Sequence, residues 1–566
     1  MSEKVSYVPL TERFGNISLE RMMGETPMLL VDTGELHDVV HYLRDTMGYG
    51  LLLDITAVDN LMLSHPAPTR FEVVYLFRSG SFDSTLGLKV RVVDAEKGVV
   101  TITDLYGSAN WLEREVWDQY GIPFRGHPTL KRILNHNEFV GHPLRKDYEI
   151  TRGQYCTVTQ DMMDEMEPLL QERGLEAERD DLMILNLGPS HPASHGTIRT
   201  LVALDGEKIV AGASEIGYLH RGFEKSCENH TYNQIIPYTD RLNYCSALMN
   251  NIAFAKTAEE MIGVTLPDRG IFIRVILAEL SRIIDHLVCL AAGLLDMGGQ
   301  TNYWYLFNPR NDAYDFLSKL TGARLTNSYM RVGGMTHDLY DGWEKDLEDV
   351  LRKVDKGVAE SLQMIEHNRI FQDRLLNVSP VSAAEAIDYG FTGPNLRASG
   401  VAYDLRFASP YYYYDSFDYD MVVGSAGDTY DRLMVRFEEI LQSMRIVRQA
   451  VRRMPDGPIN VPDHKVVMPP KQAVYNTIEG MMNQFKLVYE GVKVPEGGYY
   501  GAFEAANGEL GFYIVSDGSG TPYKVKVRAP SFLHMSAYPK IIENYQVGDA
   551  ILTLGSLNII AGEMDR

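Results

Sequence analysis

Residues 272–297 repeat apolar side chains at three- and four-residue spacing, with Val275, Leu280, Ile283, Ile284, Leu287, Leu290 and Leu294 forming one stripe. The same stretch holds Arg274, Glu279, Arg282, Asp285 and His286, a load of ionisable groups foreign to a bilayer span. No uninterrupted apolar run reaches the roughly 20 residues that a span needs. A helix this long and this apolar has to be wrapped by others, which predicts a helical bundle. Residues 238–262, 312–321, 343–369 and 429–454 show the same periodicity.

The rest of the chain has shorter periods. Residues 51–58, 71–77, 89–93 and 99–103 read as strands, and 37–47 and 110–119 as helices, which predicts a small α+β module. An acid-rich stretch at 161–181, DMMDEMEPLLQERGLEAERDD, reads as a solvated linker, partly helical. A β-meander follows to about residue 217. The last hundred residues turn irregular and β-rich, punctuated by DGSGTPY at 517–523. The expected fold class is α+β, multidomain. The domains fall at 1–155, an acidic linker at 156–182, and 183–566. Tyr411, Tyr412, Tyr413 and Tyr414 read as a packing cluster.

With 566 residues the chain can bury several cores. Its net charge of −22 speaks against general nucleic-acid binding and against direct docking onto anionic lipid. Cys156, Cys227, Cys245 and Cys289 are scattered, so no CxxC pair offers a local Fe–S, zinc or nickel site, and buried thiols in a reducing compartment are expected. The start, MSEKVSYVPLTERFG, lacks a basic segment followed by an apolar one, so no secretory leader is expected there. No GxGxxG opens a helix after a strand, and no GxxxxGK followed by Ser or Thr occurs, so no nucleotide site is expected in the chain itself.

One loop stands apart. Residues 188–196 read GPSHPASHG between β-like runs at 183–187 and 197–204. Proline fixes φ and glycine permits tight backbone, so this is a shaped loop that presents His191 and His195. An imidazole on a rigid tip suits proton transfer near neutral pH; the alternative is a histidine that only orders its own loop.

Two sets of motifs carry a resemblance. EREVWDQYGIPFRGHPTLKRIL at 113–134 and GHPLRKDY at 141–148 resemble the 30-kDa (C) subunit of proton-pumping NADH–quinone oxidoreductase, respiratory complex I. NLGPSHPASHGTIR from residue 186, EIGYLHRGFEK at 215–225, PYTDRLNY at 237–244, SDGSGTPYKVKVRAP at 516–530 and GEMDR at 562–566 resemble its 49-kDa (D) subunit. The chain is similar to the fused C/D subunit of some bacteria. That resemblance implies a C-subunit α+β domain followed by a relative of the nickel–iron hydrogenase large subunit. The cysteine pairs that hold nickel there are missing here, which rejects a hydrogenase and leaves the cavity to a quinone head group.

The resemblance also implies roles. His195 becomes the quinone-side proton donor and Tyr244 the second ligand, although a phenol of pKa about 10 is a poor acid except toward a strongly basic reduced oxygen. Asp296, which alone reads as a helix cap or an oriented partner, pairs with the histidine, raising its pKa and orienting its ring. Once the proton leaves, Asp296 is a buried unpaired charge, and the site responds by moving. His191 mostly shapes the turn. Arg221 is placed beside the terminal Fe–S cluster of a partner subunit, and Arg241 is taken with it as a cofactor-binding residue; the alternative for each is a structural ion pair. His127, His136 and His142 offer a set of metal-ligand types in the first domain, but their loop context and the resemblance favour surface and interface roles.

The chain departs from the family at three positions. Thr326 stands where many relatives carry a histidine, which fits a cluster potential less dependent on pH and a menaquinone. Asn243 and Asn558 each replace an aspartate common in relatives. The implied function is the quinone-reduction pocket of the peripheral arm, with quinone as substrate and Fe–S clusters, FMN and the NAD(H) site on partner subunits. Those partners are an Fe–S-carrying small (B) subunit, other peripheral-arm subunits and the membrane arm, at the cytoplasmic face of the bacterial inner membrane. Two other readings remain at this point: a related quinone reductase fed by ferredoxin or F420, and a scaffold that joins redox subunits to the membrane arm.

Overall fold

The computed structural model describes residues 7–24, 26–63, 67–157, 161–175, 182–191 and 194–566. Near the N-terminus, β1 (Ser18–Met23), β2 (Thr26–Val31), β3 (Leu51–Asp59), β4 (Phe71–Arg78) and β5 (Thr85–Val92) form one sheet in the order β1-β2-β5-β4-β3. Only the β2–β5 pair is parallel. Every residue of β3 and β4 is buried, so both faces of the sheet are covered there. Helix α1 (Leu36–Asp45) buries Leu36, Val39, Val40 and Leu43, one face at helical spacing. Helix α2 (Ala109–Tyr120) packs on β3 and ends at Gly121, where φ is +70° and a Cβ would strike His142 Nε2 at 2.4 Å. The strand expected at 99–103 shrinks to Val99–Val100.

The acid-rich stretch is more than a linker. It contains a helix, Met163–Glu172, whose Met166 and Leu170 are buried against Leu201, Ala203, Ala211 and Ala213. Methionine and leucine recur at helical spacing among the acids, so one face packs while the charges stay outside. Residues 176–181 lie outside the described part. The meander follows as β6 (Leu182–Leu187), β7 (Arg199–Asp205) and β8 (Lys208–Glu215), antiparallel throughout.

The bundle consists of α3 (Ala247–Ile262), α4 (Asp268–Asp296), α5 (Gln300–Thr321), α6 (Trp343–Ile365) and α7 (Thr429–Arg453). Helix α4 lies against α3, α5 and α7, and every residue from 270 to 287 is buried. Three boundaries differ from the periodicity. The run expected at 238–262 breaks into a helix, Tyr232–Thr239, a single 3-10 turn, Tyr244–Ser246, and α3. Asn243 causes the break, since its Oδ1 accepts the Cys245 N–H at 3.1 Å and caps the turn. The run expected at 343–369 stops at Ile365, and Asn368 caps a new helix, Arg369–Leu375. Helix α5 starts well before residue 312 and runs through Pro309.

The last hundred residues open with two helices, Lys471–Asn476 and Ile478–Tyr489, and only then reach the expected strands β9 (Gly497–Ala505), β10 (Gly508–Ser516) and β11 (Lys524–Arg528). The chain then turns helical again with Pro530–Ile541, α8 (Val547–Leu557) and α9 (Ala561–Asp565), a correction to the irregular, β-rich reading. This end closes on both other parts. Arg78 donates to Glu509 at 3.0 Å, Tyr523 to the Asp59 carbonyl at 2.5 Å and Lys526 to Glu115 at 2.5 Å. Helix α8 packs on α4.

The ionisable groups of α4 are paired inside. Glu279 contacts Arg282 at 3.2 Å and Arg406 at 3.3 Å, and accepts from Tyr414 and Ser443, each at 2.7 Å. His286 meets Glu439 at 2.8 Å, and Arg397 reaches Glu439 at 2.6 Å and Glu504 at 2.9 Å. Burial works against the Glu439 charge, but Arg397 and His286 outweigh it and hold its pKa well below the carboxylate range. Removing one partner of such a cluster leaves a buried charge exposed to low dielectric. Arg397→Leu is therefore expected to destabilise the chain by about 3–5 kcal/mol. Thermal unfolding checks this, and an unchanged transition would show that the cluster is not required.

Candidate functional site

The loop 188–196 puts His195 where the chain needs it by force of backbone. His195 adopts φ +51°, the left-handed region that a non-glycine residue enters at a cost. Within the loop His191 and Gly196 form an antiparallel bridge, and Ser194 Oγ lies 2.6 Å from the carbonyls of both. His191 is exposed and serves the loop through its backbone. Pro192 and Ala193 lie outside the described residues.

His195 Nε2 sits 2.7 Å from Asp296 Oδ2, at the last residue of α4. The approach is bent away from a straight hydrogen bond, so the contact is a close ion-pair geometry. The side chains are 17% and 20% exposed. The expectation from the resemblance is a buried charge; in this chain alone Asp296 is partly solvated, and an unpaired charge there costs less than in a sealed interior.

Tyr244 opens the 3-10 turn rather than lying in a long helix. Burial, with Cys245 and Asp285 adding to it, pushes its phenol up to about 12. The hydroxyl therefore stays protonated across the physiological range. The C-terminal segment touches both candidates. A Cβ on Gly555 of α8 would lie 3.2 Å from His195 Nε2 and 3.4 Å from Asp296 Oδ2. A Cβ on Gly562 of α9 would strike the Arg241 carbonyl at 2.4 Å and reach Tyr244 Cδ1 at 3.5 Å.

Arg221 and Arg241 are both exposed, and neither has an acidic partner at ion-pair distance among the described residues. Burial and then the neighbouring Arg241 lower the Arg221 pKa, so the two cations lie near enough to repel one another. The segment before Arg221 is held by the chain's far end. Gly217 and Leu219 donate backbone N–H groups to the Asp565 carboxylate at 3.0 and 2.7 Å. The His220 ring nitrogen Nδ1 donates to the Asp565 carbonyl at 2.7 Å. In the N-terminal part, His136, Glu138 and Cys156 bring one ligand atom each within 4.8 Å of one another. His127 bonds the Asn110 carbonyl at 3.1 Å and His142 the Asp118 carbonyl at 2.9 Å.

Gly555, Gly562 and Asp285 escaped the reading of the sequence. The two glycines interrupt otherwise apolar helical runs, which is the one local sign of a close approach. Asp285 gave no such sign, because its partners are far away in sequence.

Residues 296–566 match the family described as "Respiratory-chain NADH dehydrogenase, 49 Kd subunit", and residues 29–154 the corresponding 30 Kd subunit family. The C/D subunit of the NADH-quinone oxidoreductase of Bdellovibrio bacteriovorus is 45% identical over 564 residues, covering 100% of this chain and 97% of that protein. The D subunit of the Myxococcus xanthus enzyme is 52% identical over 387 residues, 68% of this chain and 92% of that one. The C/D subunit of the Nitrosospira multiformis enzyme is 38% identical over 557 residues, 96% and 91% of the two chains.

Gly555 yields a direct check of the geometry. Gly555→Ala is expected to fold with stability within about 1 kcal/mol, since alanine suits a helix, while displacing the His195 ring by a few tenths of an ångström. A structure of the variant with the His195–Asp296 contact unmoved would refute the close approach.

Proposed function

The chain belongs to the C/D subunit family of NADH-quinone oxidoreductases, and we propose that its loop 188–196, the Tyr244 turn and the end of α4 form the quinone-reducing wall of that complex. The observation that carries this reading is the His195–Asp296 pair. A strained loop histidine is held 2.7 Å from a carboxylate at a partly open helix end, with Gly555 packed against it. Reducing a quinone to a quinol takes two electrons and two protons. The electrons come from an Fe–S cluster of a neighbouring small subunit, which in turn draws on FMN and NAD(H) sites elsewhere in the complex. This chain supplies the protons and the polar contacts to the two carbonyl oxygens.

His195 donates to one oxygen and Asp296, 2.7 Å from its ring, holds that ring in place. Tyr244 bonds the other oxygen as a hydroxyl. With its pKa near 12 it yields a proton only to an oxygen made strongly basic by reduction. Glycine at 555 and 562 lets the C-terminal helices come against both donors without a side chain in the way. Arg221 and Arg241, two neighbouring exposed cations with no acid at ion-pair distance among the described residues, suit an anionic cluster on the partner subunit, where positive charge favours the reduced form.

The complex lies against the cytoplasmic face of the inner membrane in this reading. No helix among the described residues is long and apolar enough to cross a bilayer, so membrane-arm subunits provide the attachment. The acid-rich segment around 156–182 divides a C-like from a D-like part. The relatives are named for NADH, which favours that donor over ferredoxin or F420.

In membranes carrying the assembled complex, His195→Ala is expected to lower NADH-driven quinone reduction by about 10²-fold or more. Asp296→Asn should lower it by about tenfold and weaken proton pumping, because the ring loses its orienting anion. Unchanged reduction with unchanged pumping in Asp296→Asn would sink the pair's role. Tyr244→Phe with intact assembly and full quinone reduction would remove the second donor and favour a scaffold.

A further inference from the structure

Two of the three departures from the family meet on one side chain. Asp285 lies in the middle of α4 and is 1% exposed. Asn243 Nδ2 donates to its Oδ2 at 2.7 Å, and Asn558 Nδ2 to its Oδ1 at 2.7 Å. No cation lies at ion-pair distance from Asp285 among the described residues, whereas Glu279 on the same helix has Arg282 and Arg406. A buried carboxylate is thus satisfied by neutral amides.

Both amides stand at corners of the site. Asn243 caps the turn that begins with Tyr244, through its Oδ1. Asn558 closes α8 in the left-handed conformation, φ +56°, and its Nδ2 also reaches Asn507 Oδ1 at 2.6 Å. Asn507 continues to Glu563 at 3.3 Å. Asp285 therefore ties the Tyr244 turn to the segment whose Gly555 and Gly562 bear on His195, Asp296 and Tyr244.

We propose that Asp285 is a positioning residue of the quinone site, a carboxylate clamped between Asn243 and Asn558 that sets where Tyr244 stands relative to His195. The proposal rests on the reading of His195 and Tyr244 as the two donors. Its logic is donor–acceptor matching. A carboxylate offers an acceptor to each of two amides, and no proton is shared. Asp285→Asn brings a second amide donor against one asparagine and leaves a buried donor unpaired. Asn243→Asp sets two carboxylates face to face, and one of them must hold a proton. The combined exchange, Asn243→Asp with Asp285→Asn, restores the match. The new amide donates to the new carboxylate and accepts from Asn558, while the carboxylate still caps the Cys245 N–H.

The titratable and charged groups around this cluster come from every packed element: Tyr244 and Cys245 on the turn, His286 and Cys289 on α4, Arg310 and Tyr314 on α5, Arg436 on α7 and Glu563 on α9. None of them changes between the single and combined variants, so a pH effect confined to Asn243→Asp reports the clamp itself.

The test uses membranes with the assembled complex and NADH-driven reduction of a short-chain quinone between pH 6 and 9, normalised to NADH oxidation by ferricyanide. Asp285→Asn is expected to lose about tenfold. Asn243→Asp should lose activity progressively as pH rises and the shared proton leaves. The combined variant should return to within about threefold of the unsubstituted chain and lose that pH dependence. Full activity in Asp285→Asn, or a combined variant no better than Asp285→Asn, overturns the proposal. Should Asp285→Asn fail to assemble, recovery of assembly and activity in the combined variant supports the clamp, and its failure overturns it. Tyr244→Phe is measured alongside. Full activity there removes the two-donor reading and this proposal with it, whereas loss there with failed rescue overturns the clamp alone.

Discussion

Everything else in the molecule is arranged around one long helix, buried through its middle, whose ionisable side chains find partners on other elements. Helix α4 is buried over residues 270–287 yet carries Arg274, Glu279, Arg282, Asp285 and His286. Each has a partner from another element: Glu259 for Arg274, Arg406 and Ser443 for Glu279, the carbonyl oxygens of Glu504 and Ala505 for Arg282, amides for Asp285, Glu439 for His286. An apolar helix could slide or rotate among its neighbours at little cost. A helix with paired interior charges has one register, because any other leaves several charges buried and alone. The tyrosine cluster at 411–414 belongs to the same arrangement, since Tyr412 bonds Arg274 and Tyr414 bonds Glu279.

That single register delivers the site. Asp296 is the last residue of α4, and Asp285 lies three turns earlier. Locking the helix axially places the carboxylate that meets His195 and the one that meets Asn243 and Asn558. The loop brings His195 to this end in a strained conformation, and the C-terminal helices close over it through glycine. The parts furthest apart in sequence meet most closely: Lys526 and Arg566 reach Glu115 on α2, and Asp565 holds the segment that ends at Arg221.

The elements legible in the sequence were those with an unbroken local period. The strands at 51–59 and 71–78 and the helix at 109–120 emerged within a residue or two of their expected limits, and α4 starts four residues before its expected run. Two errors fell where a single polar residue overrode the period. Asn243 and Asn368 each cap and so divide a run that looked continuous. The acid-rich helix at 163–172 was read as solvated because its acids outnumber its buried methionine and leucine. His195, Tyr244 and Asp296 were named from motifs, and the structure brings His195 to Asp296 directly, while Tyr244 comes on a turn instead of a helix.

The sequence by itself determined the bundle, the α+β start, the loop at 188–196 and the family, because these rest on local periodicity, proline and glycine chemistry and long contiguous motifs. Tertiary structure alone decided which charges neutralise one another, that two asparagines share one carboxylate, and that glycines from the far end press on both proposed donors. Those relations join residues tens to hundreds of positions apart. No local pattern encodes them, since they exist only once the buried charges of α4 have fixed its register against everything that surrounds it.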